Sequence, residues 1–434
     1  MVFLYSVETR YSINSLLAVV DRIEGVKYHL VRDLNELLET ARLIVNRGDQ
    51  CIVAFSLLTT LLVRDNYYIE LRGVVEKLKK MGCLTITGGP HPSGDPIGTL
   101  SYFGFDYVFI GEAEESLAEF LYALLNKQDP RSVKGVFFLD NDRPVYTGVR
   151  KPIDLDKYDP FPYWRGIVNP IEITRGCPHG CFYCQVSYLH GRQYRHRSIE
   201  KISFIVEQVV KLGVRDIRFI SPDSLAYGLT TSSRSVNLDA IEKLLEELSK
   251  KTRNTGGRIF LGSFPSEVRP EHVTEESIKL LRKYVANKSI IMGAQSGSEE
   301  ILRRINRGHT VEDVVLAVEI SLSNGFIPDV DLIFGFPGET VEDMEKTLNL
   351  ARKLVNMGAR IHLHYYIPLP GTPFGMKKPT RIPEWIKKEI WKIIGMGRGY
   401  GDWIKQEELS WRIIELHERG VIAPKWSKAP GVIT

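Results

Sequence analysis

Short runs of β-branched and aromatic residues alternate with longer amphipathic runs along most of this chain, in two successive series. That rhythm confines the fold to strand–helix–strand units built on parallel sheets, an α/β class. In the first series, residues 2–5, 27–31, 51–56, 84–88 and 107–110 read as strands. Residues 12–24, 34–46 and 67–80 carry apolar side chains at helical spacing. The pattern predicts a doubly wound, Rossmann-like domain over residues 1–130, with ligands at the carboxyl ends of its strands. Those ends carry Ser56, Gly88-Gly89-Pro90-His91 and Gly111-Glu112.

Residues 131–165 read as a hairpin around Asp140-Asn141-Asp142 followed by a connector rich in Pro, Asp and Tyr. The second series follows, with strands expected at 171–174, 216–221, 258–262, 289–295, 328–335 and 360–368. Six such units predict a partial (β/α)6 barrel over residues 166–375, with chemistry at the C-terminal ends of its strands. Residues 376–434 break the rhythm and read as a helical cap. From residue 375 onward there are 12 Lys/Arg against 7 Asp/Glu, with Trp385, Trp391, Trp403, Trp411 and Trp426 among them.

Composition excludes several classes. The chain is 43% hydrophobic and 25% charged over 434 residues, enough apolar content to bury full cores and too much for disorder. Net charge is +4, too small to point to nucleic acid, and no RNA-binding module is evident in the basic tail. No run approaches the roughly 20 apolar residues of a membrane span. The first residues, MVFLYSVETR, lack a basic segment before their apolar stretch, so a cytoplasmic protein is expected.

Five cysteines are unevenly placed. Cys177, Cys181 and Cys184 form a C-x3-C-x2-C cluster just past the first expected barrel strand, while Cys51 and Cys83 stand alone in apolar segments. In a reducing compartment this reads as a metal site rather than as disulfides. Three thiolates suit an iron–sulfur cluster and leave one iron open to a small molecule. Structural zinc takes four ligands, for which His179 or His190 would have to complete the set.

The stretch from Thr174 to Cys184, TRGCPHGCFYC, resembles the signature of the radical S-adenosylmethionine (SAM) enzymes. Further segments resemble the same family in order: Gly293-Ala294-Gln295-Ser296-Gly297-Ser298, then Phe334-Gly335-Phe336-Pro337-Gly338-Glu339-Thr340, then Pro368-Leu369-Pro370-Gly371-Thr372-Pro373. The resemblance implies a 4Fe–4S cluster on Cys177, Cys181 and Cys184 that binds and cleaves SAM, with an external one-electron donor such as flavodoxin or ferredoxin. It assigns Tyr183 to the cluster or adenine, and Glu267, Gln295 and Ser296 to SAM.

The N-terminal series lacks a G-x-G-x-x-G fingerprint after its first strand, which argues against a dinucleotide. It resembles the cobalamin-binding domain that precedes the barrel in one radical SAM class, through Ser56-Leu57-Leu58, Gly88-Gly89-Pro90-His91-Pro92 and Gly111-Glu112-Ala113-Glu114. Ser56, Leu58, Gly88, Gly89, His91, Gly111 and Glu112 are then the expected cobalamin contacts. A D-x-H-x-x-G motif is missing, so His91 is expected in the tail pocket rather than as an axial ligand.

The combined resemblance implies a cobalamin-dependent radical SAM methyltransferase, moving a methyl group from SAM via methylcobalamin to an unactivated carbon. The substrate is expected to be a peptide or protein, slightly ahead of a small molecule. Tyr365 and Tyr366, at the end of the last barrel strand, are the candidates for a catalytic side chain facing substrate. The alternatives are a rearrangement or cyclisation of the same cobalamin class, a vestigial cobalamin domain, and a non-enzymatic cobalamin or redox sensor. A methylthiotransferase needs a second cysteine triad, and only Cys51 and Cys83 remain.

Overall fold

The computed structural model describes residues 1–424; Trp426 lies outside the described residues. Strands β1 (Val2–Leu4), β2 (His29–Val31), β3 (Ile52–Ser56), β4 (Leu84–Gly88) and β5 (Tyr107–Phe109) form a parallel sheet in the order β2-β1-β3-β4-β5. The strand order reverses between β1 and β3, which opens a crevice at the carboxyl edge. The helices follow from local sequence. Leu34–Asn46 starts at Asp33, whose carboxylate accepts from the Asn35 and Glu36 amides, and it buries Leu34, Leu37, Ala41 and Ile44 on one face.

The hairpin belongs to this sheet rather than to a free linker. Strand β6 (Val136–Asp140) pairs antiparallel with β5, and β7 (Arg143–Tyr146) with β6. Asn141 and Asp142 adopt φ of 47° and 61°, the conformation a two-residue hairpin turn requires.

Cys51 and Cys83 depart from the expectation of isolated thiols: they form a disulfide. The parallel register sets Ile52 opposite Leu84, so the residues just before β3 and β4 lie side by side with Cα atoms 4.7 Å apart. A separation of 32 residues hides that neighbourhood in the sequence.

The second series builds β8 (Ile171–Glu172), an antiparallel pair β9 (Thr174–Arg175) and β10 (Arg195–His196), then β11 (Asp216–Ile220), β12 (Arg258–Phe260), β13 (Ser289–Gln295), β14 (Ile327–Phe334) and β15 (Arg360–Tyr365). Parallel ladders run β12-β11-β8 and β13-β14-β15, and single bridges at Ile259–Val285 and Val268–Met292 join the two arcs. A further strand, β16 (Gly399–Tyr400), extends the second arc beyond β15, within a segment read from sequence as wholly helical.

The C-terminal helix Trp403–Glu418 acts as a strut. Trp403 enters the barrel core, whereas Ile413 and Leu416 enter the core of the first sheet. Fully burying each of those two aliphatic side chains contributes about 1.5–3 kcal/mol. Ser410 donates to the Tyr366 carbonyl at 2.6 Å, and the Ala423 amide donates to Asp95 at 2.8 Å. The cap therefore fixes the sheet against the barrel.

Candidate functional site

The cysteine loop, residues 176–194, is pinned at its base by β9 and β10. Gly176 has φ of 82°, and a Cβ there would lie 2.2 Å from the Gln193 carbonyl oxygen, so only glycine permits this exit from β9. The Cys177 amide donates to the Gly191 carbonyl at 3.0 Å, and the Phe182 amide to that of Ile305 at 2.9 Å. These bonds set Cys177, Cys181 and Cys184, all free thiols, on the wall of a barrel cavity of about 420 Å³.

Burial pushes the Cys177 thiol up, and burial together with the Cys181 charge pushes Cys184 up to about 12. Thiolates in such surroundings need a cationic centre to hold them. Arg307 is a fixed cation at this wall: its Nη1 lies 3.8 Å from Cys181 Sγ while its Nη2 donates to the Gly293 carbonyl at 2.6 Å. The donor set fits an iron–sulfur cluster. His190, one expected zinc alternative, turns to Glu112 at 3.5 Å.

Of the residues expected around SAM, Tyr183, Glu267 and Gln295 line this cavity. Gln295 has φ of 74° at a register shift in β13, which aims its side chain inward. Glu267 is open to the cavity yet ringed by protein, and desolvation plus the charge of Asp331 push its carboxyl up to about 7. Ser296 is placed otherwise. It is fully buried, bonded to Thr347 Oγ1 at 3.1 Å, and accepts from the Ser298 amide, so it shapes the turn after β13. Tyr365 and Tyr366 border the cavity, but their hydroxyls donate to the carbonyls of Thr380 and Phe374. Both phenols are thereby engaged with main chain rather than presented to a substrate.

A second cavity, about 300 Å³, opens at the carboxyl edge of the first sheet. Ser56, Gly88, Gly89, Gly111 and Glu112 form its rim, and apolar walls including Leu16, Ile86 and Phe109 carry it down between the sheet and flanking helices. A glycine rim over an apolar slot suits a flat ring with a narrow appendage. Two expected contacts are not in its wall. Leu58 caps the helix Thr59–Val63. His91 is fully buried, with Nδ1 3.0 Å from Thr59 Oγ1, and burial lowers its pKa to about 3.

A buried ion network joins the two units. Arg175 pairs with Glu114 at 2.8 Å and Glu172 at 2.8 Å, and Glu112 pairs with Arg195 and accepts from the Ile153 amide at 2.9 Å. Burial alone would raise Glu112, but His190, Arg175 and Arg195 outweigh it and bring the carboxyl down to about 2. Glu112 is therefore an interdomain ion-pair partner as well as a rim residue. Arg175 lines the sheet-edge cavity and Cys177 lines the barrel cavity. Two residues of chain span at most about 7 Å, so the backbone of residues 175–177 forms a wall common to the two cavities.

Sequence reasoning missed Arg307 and the polar group Asp331, His362 and His364 inside the barrel. The His-x-His spacing on an expected strand was the available signal for the latter, because alternate residues share a face. Among the described residues, no helix is long and apolar enough to cross a membrane.

Residues 171–351 match the radical SAM superfamily. In sequence, an uncharacterised protein of Methanopyrus kandleri is 26% identical over 347 residues, covering 68% of this chain and 63% of that protein. The tRNA-2-methylthio-N(6)-dimethylallyladenosine synthase of Thermotoga petrophila is 34% identical over 207 residues, covering 46% and 43%. The chain thus spans less than two thirds of these relatives. In structure, the radical SAM methyltransferase TsrM from Kitasatospora setae, solved with cobalamin and a [4Fe-4S] cluster, is similar over 86% of this chain and 76% of its own, with TM-score 0.66 and 18% identity. The cobalamin-dependent radical enzyme OxsB, solved with aqua-cobalamin and S-adenosylmethionine, is similar over 96% and 60%, with TM-score 0.63 and 15% identity.

Proposed function

Residues 171–351 form a radical SAM domain, and on that premise we propose that this chain is a cobalamin-dependent radical SAM methyltransferase acting on an unactivated carbon. The observation that carries the reading is the shared wall, with Arg175 in one cavity and Cys177, two residues on, in the other. When bound, a 4Fe–4S cluster with SAM would supply a carbon-centred radical and cobalamin a transferable methyl group.

The chain's own residues hold and enclose these groups. Cys177, Cys181 and Cys184 would ligate the cluster, and Arg307 places positive charge beside Cys181. Glu267 and Gln295 offer polar atoms to the amino-acid part of SAM, with Tyr183 as an aromatic wall. Gly88, Gly89 and Gly111 keep the opposing rim flat for a corrin. The strut helix contributes Gln406 to the wall of the barrel cavity. A cavity of this size admits a peptide side chain or a small molecule, and an external flavodoxin- or ferredoxin-like protein would deliver the electron.

Methylthiotransferase chemistry has support in the 34%-identical barrel relative. It requires three more cysteines, and the remaining pair, Cys51 and Cys83, is held in a disulfide on the opposite edge of the first sheet. Anaerobic turnover of the reconstituted chain with SAM and a one-electron reductant separates the readings. A methyltransferase yields both S-adenosylhomocysteine and 5′-deoxyadenosine. 5′-Deoxyadenosine alone would overturn methyl transfer and leave rearrangement or cyclisation.

A further inference from the structure

Below the cysteine loop, inside the barrel, three side chains converge from neighbouring strands. Asp331 lies on β14, and His362 and His364 lie on β15. The register sets Asp331 opposite His362, and alternation along β15 returns His364 to the same inward face. His362 Nδ1 is 2.9 Å from Asp331 Oδ1, His364 Nε2 is 3.0 Å from His362 Nδ1, and His364 Nε2 is 3.6 Å from the same carboxylate oxygen.

Protons serve this arrangement poorly. Each ring nitrogen has one in-plane position, so a single hydrogen cannot satisfy all three short contacts well. A cation at their centre satisfies all of them. Metal–nitrogen and metal–oxygen bonds of about 2.0–2.2 Å place neighbouring ligand atoms roughly 3.0–3.5 Å apart, the spacing found here.

The surroundings favour a dication. Glu267 borders the same cavity close enough for Asp331 to act on its charge. Arg360, the nearby base, is bound to Asp329 at 2.7 Å, and Arg307 faces Cys181. Two carboxylates therefore share this part of the barrel, Asp331 against the two imidazoles and Glu267 under the longer-range charges of Arg307 and His362. Tyr400, on β16, stacks on His362 with ring centroids 4.5 Å apart and planes 11° apart, which fixes the imidazole for ligation.

We propose that Asp331, His362 and His364 bind one divalent transition-metal ion of the zinc class, separate from the cluster cysteines, with an open position facing Glu267 and the barrel cavity. Two imidazoles and a carboxylate suit zinc or its first-row neighbours, and an open position is the mark of a site that takes a substrate donor group or water. The ion would brace β14 against β15 within the second arc and supply a fixed positive charge to the barrel cavity.

Cobalt(II) tests this on the untagged full chain in which Cys177, Cys181 and Cys184 are replaced by serine. The expected result is a single bound cobalt per chain with visible d–d absorption and no thiolate charge-transfer band. His364→Gln and Asp331→Asn should each weaken binding by roughly 100-fold or more. If the serine variant does not fold, zinc content of the cluster-loaded parent and its His364→Gln form gives the same readout: one zinc per chain, lost in the variant. No stoichiometric metal in the parent, or metal retained equally in His364→Gln, overturns the proposal. Neither measurement uses cobalamin or turnover, so the outcome is independent of the methyltransferase reading.

Discussion

Gln185, the residue after the last cluster cysteine, donates through Nε2 to the Pro90 carbonyl of the first sheet's edge at 3.2 Å. The same amide nitrogen donates to the Pro370 carbonyl, at the close of the barrel, at 2.8 Å. One side chain thus clamps the cysteine loop, the glycine rim and the barrel mouth. Gly94 completes the approach, since a Cβ there would meet the Pro370 carbonyl oxygen at 2.2 Å. Gln185→Leu removes two hydrogen bonds and leaves two carbonyls without this donor, a cost of about 1–3 kcal/mol. Urea unfolding should show that loss, with the iron content of the reconstituted variant near that of the parent.

Arg175 is buried between Glu114 and Glu172. Arg175→Met strands Glu114 and leaves Glu172 with only the longer Arg197 contact at 3.7 Å, and breaking a buried pair typically costs about 3–5 kcal/mol. The same change disturbs the base of the cysteine loop. Denaturation midpoints and iron per chain should both fall, whereas the exposed-pair variant Lys80→Met should change neither measurably.

His91 makes the fold acid-sensitive. Its folded pKa, about 3, lies below the ordinary value of 6.5 because burial penalises the charged ring. Its contribution is complete above about pH 6.5 and is lost as pH falls from there toward 3, by about 1.4 kcal/mol per pH unit. Comparing unfolding free energies at pH 7, 6 and 5 should give a steeper acid loss in the parent than in His91→Leu. Equal slopes would remove His91 from the account.

The cysteines divide into two sets. Titration of denatured, cluster-free protein should find three reactive thiols before reduction and five after it. Cys51→Ala should cost about 2–4 kcal/mol of stability under oxidising conditions and leave iron binding intact. Cys181→Ala should abolish cluster assembly.

Arg307 tunes the cluster site by charge. With its guanidinium 3.8 Å from Cys181 Sγ, Arg307→Gln should shift the cluster's reduction potential in the negative direction, because a nearby cation favours the reduced, more negative state. A redox titration followed by electron paramagnetic resonance measures this.

Helix positions were legible because burial of one face imposes apolar residues at helical spacing: Leu34–Asn46 and Tyr67–Lys80 stand where their periodicity places them. The cysteine loop was legible because its spacing is local. What depends on register was not. The Cys51–Cys83 pair and the approach of His362 to Asp331 arise from residues far apart in sequence that parallel pairing brings together, and Arg307 reaches Cys181 from a loop 126 residues on. His91 and Ser296 illustrate the converse. Each sits in a motif that points to a ligand, yet the fold turns each side chain toward a threonine, Thr59 and Thr347.

The central claim is that one chain holds two redox groups across the wall between Arg175 and Cys177. Anaerobic reconstitution with iron, sulfide and hydroxocobalamin, followed by metal analysis, tests it most directly. The account predicts about four irons and one cobalt per chain, with cobalt retained in Cys181→Ala while iron is lost. Four irons with no retained cobalt would contradict it, leaving a radical SAM barrel joined to a sheet that has no corrin to hold.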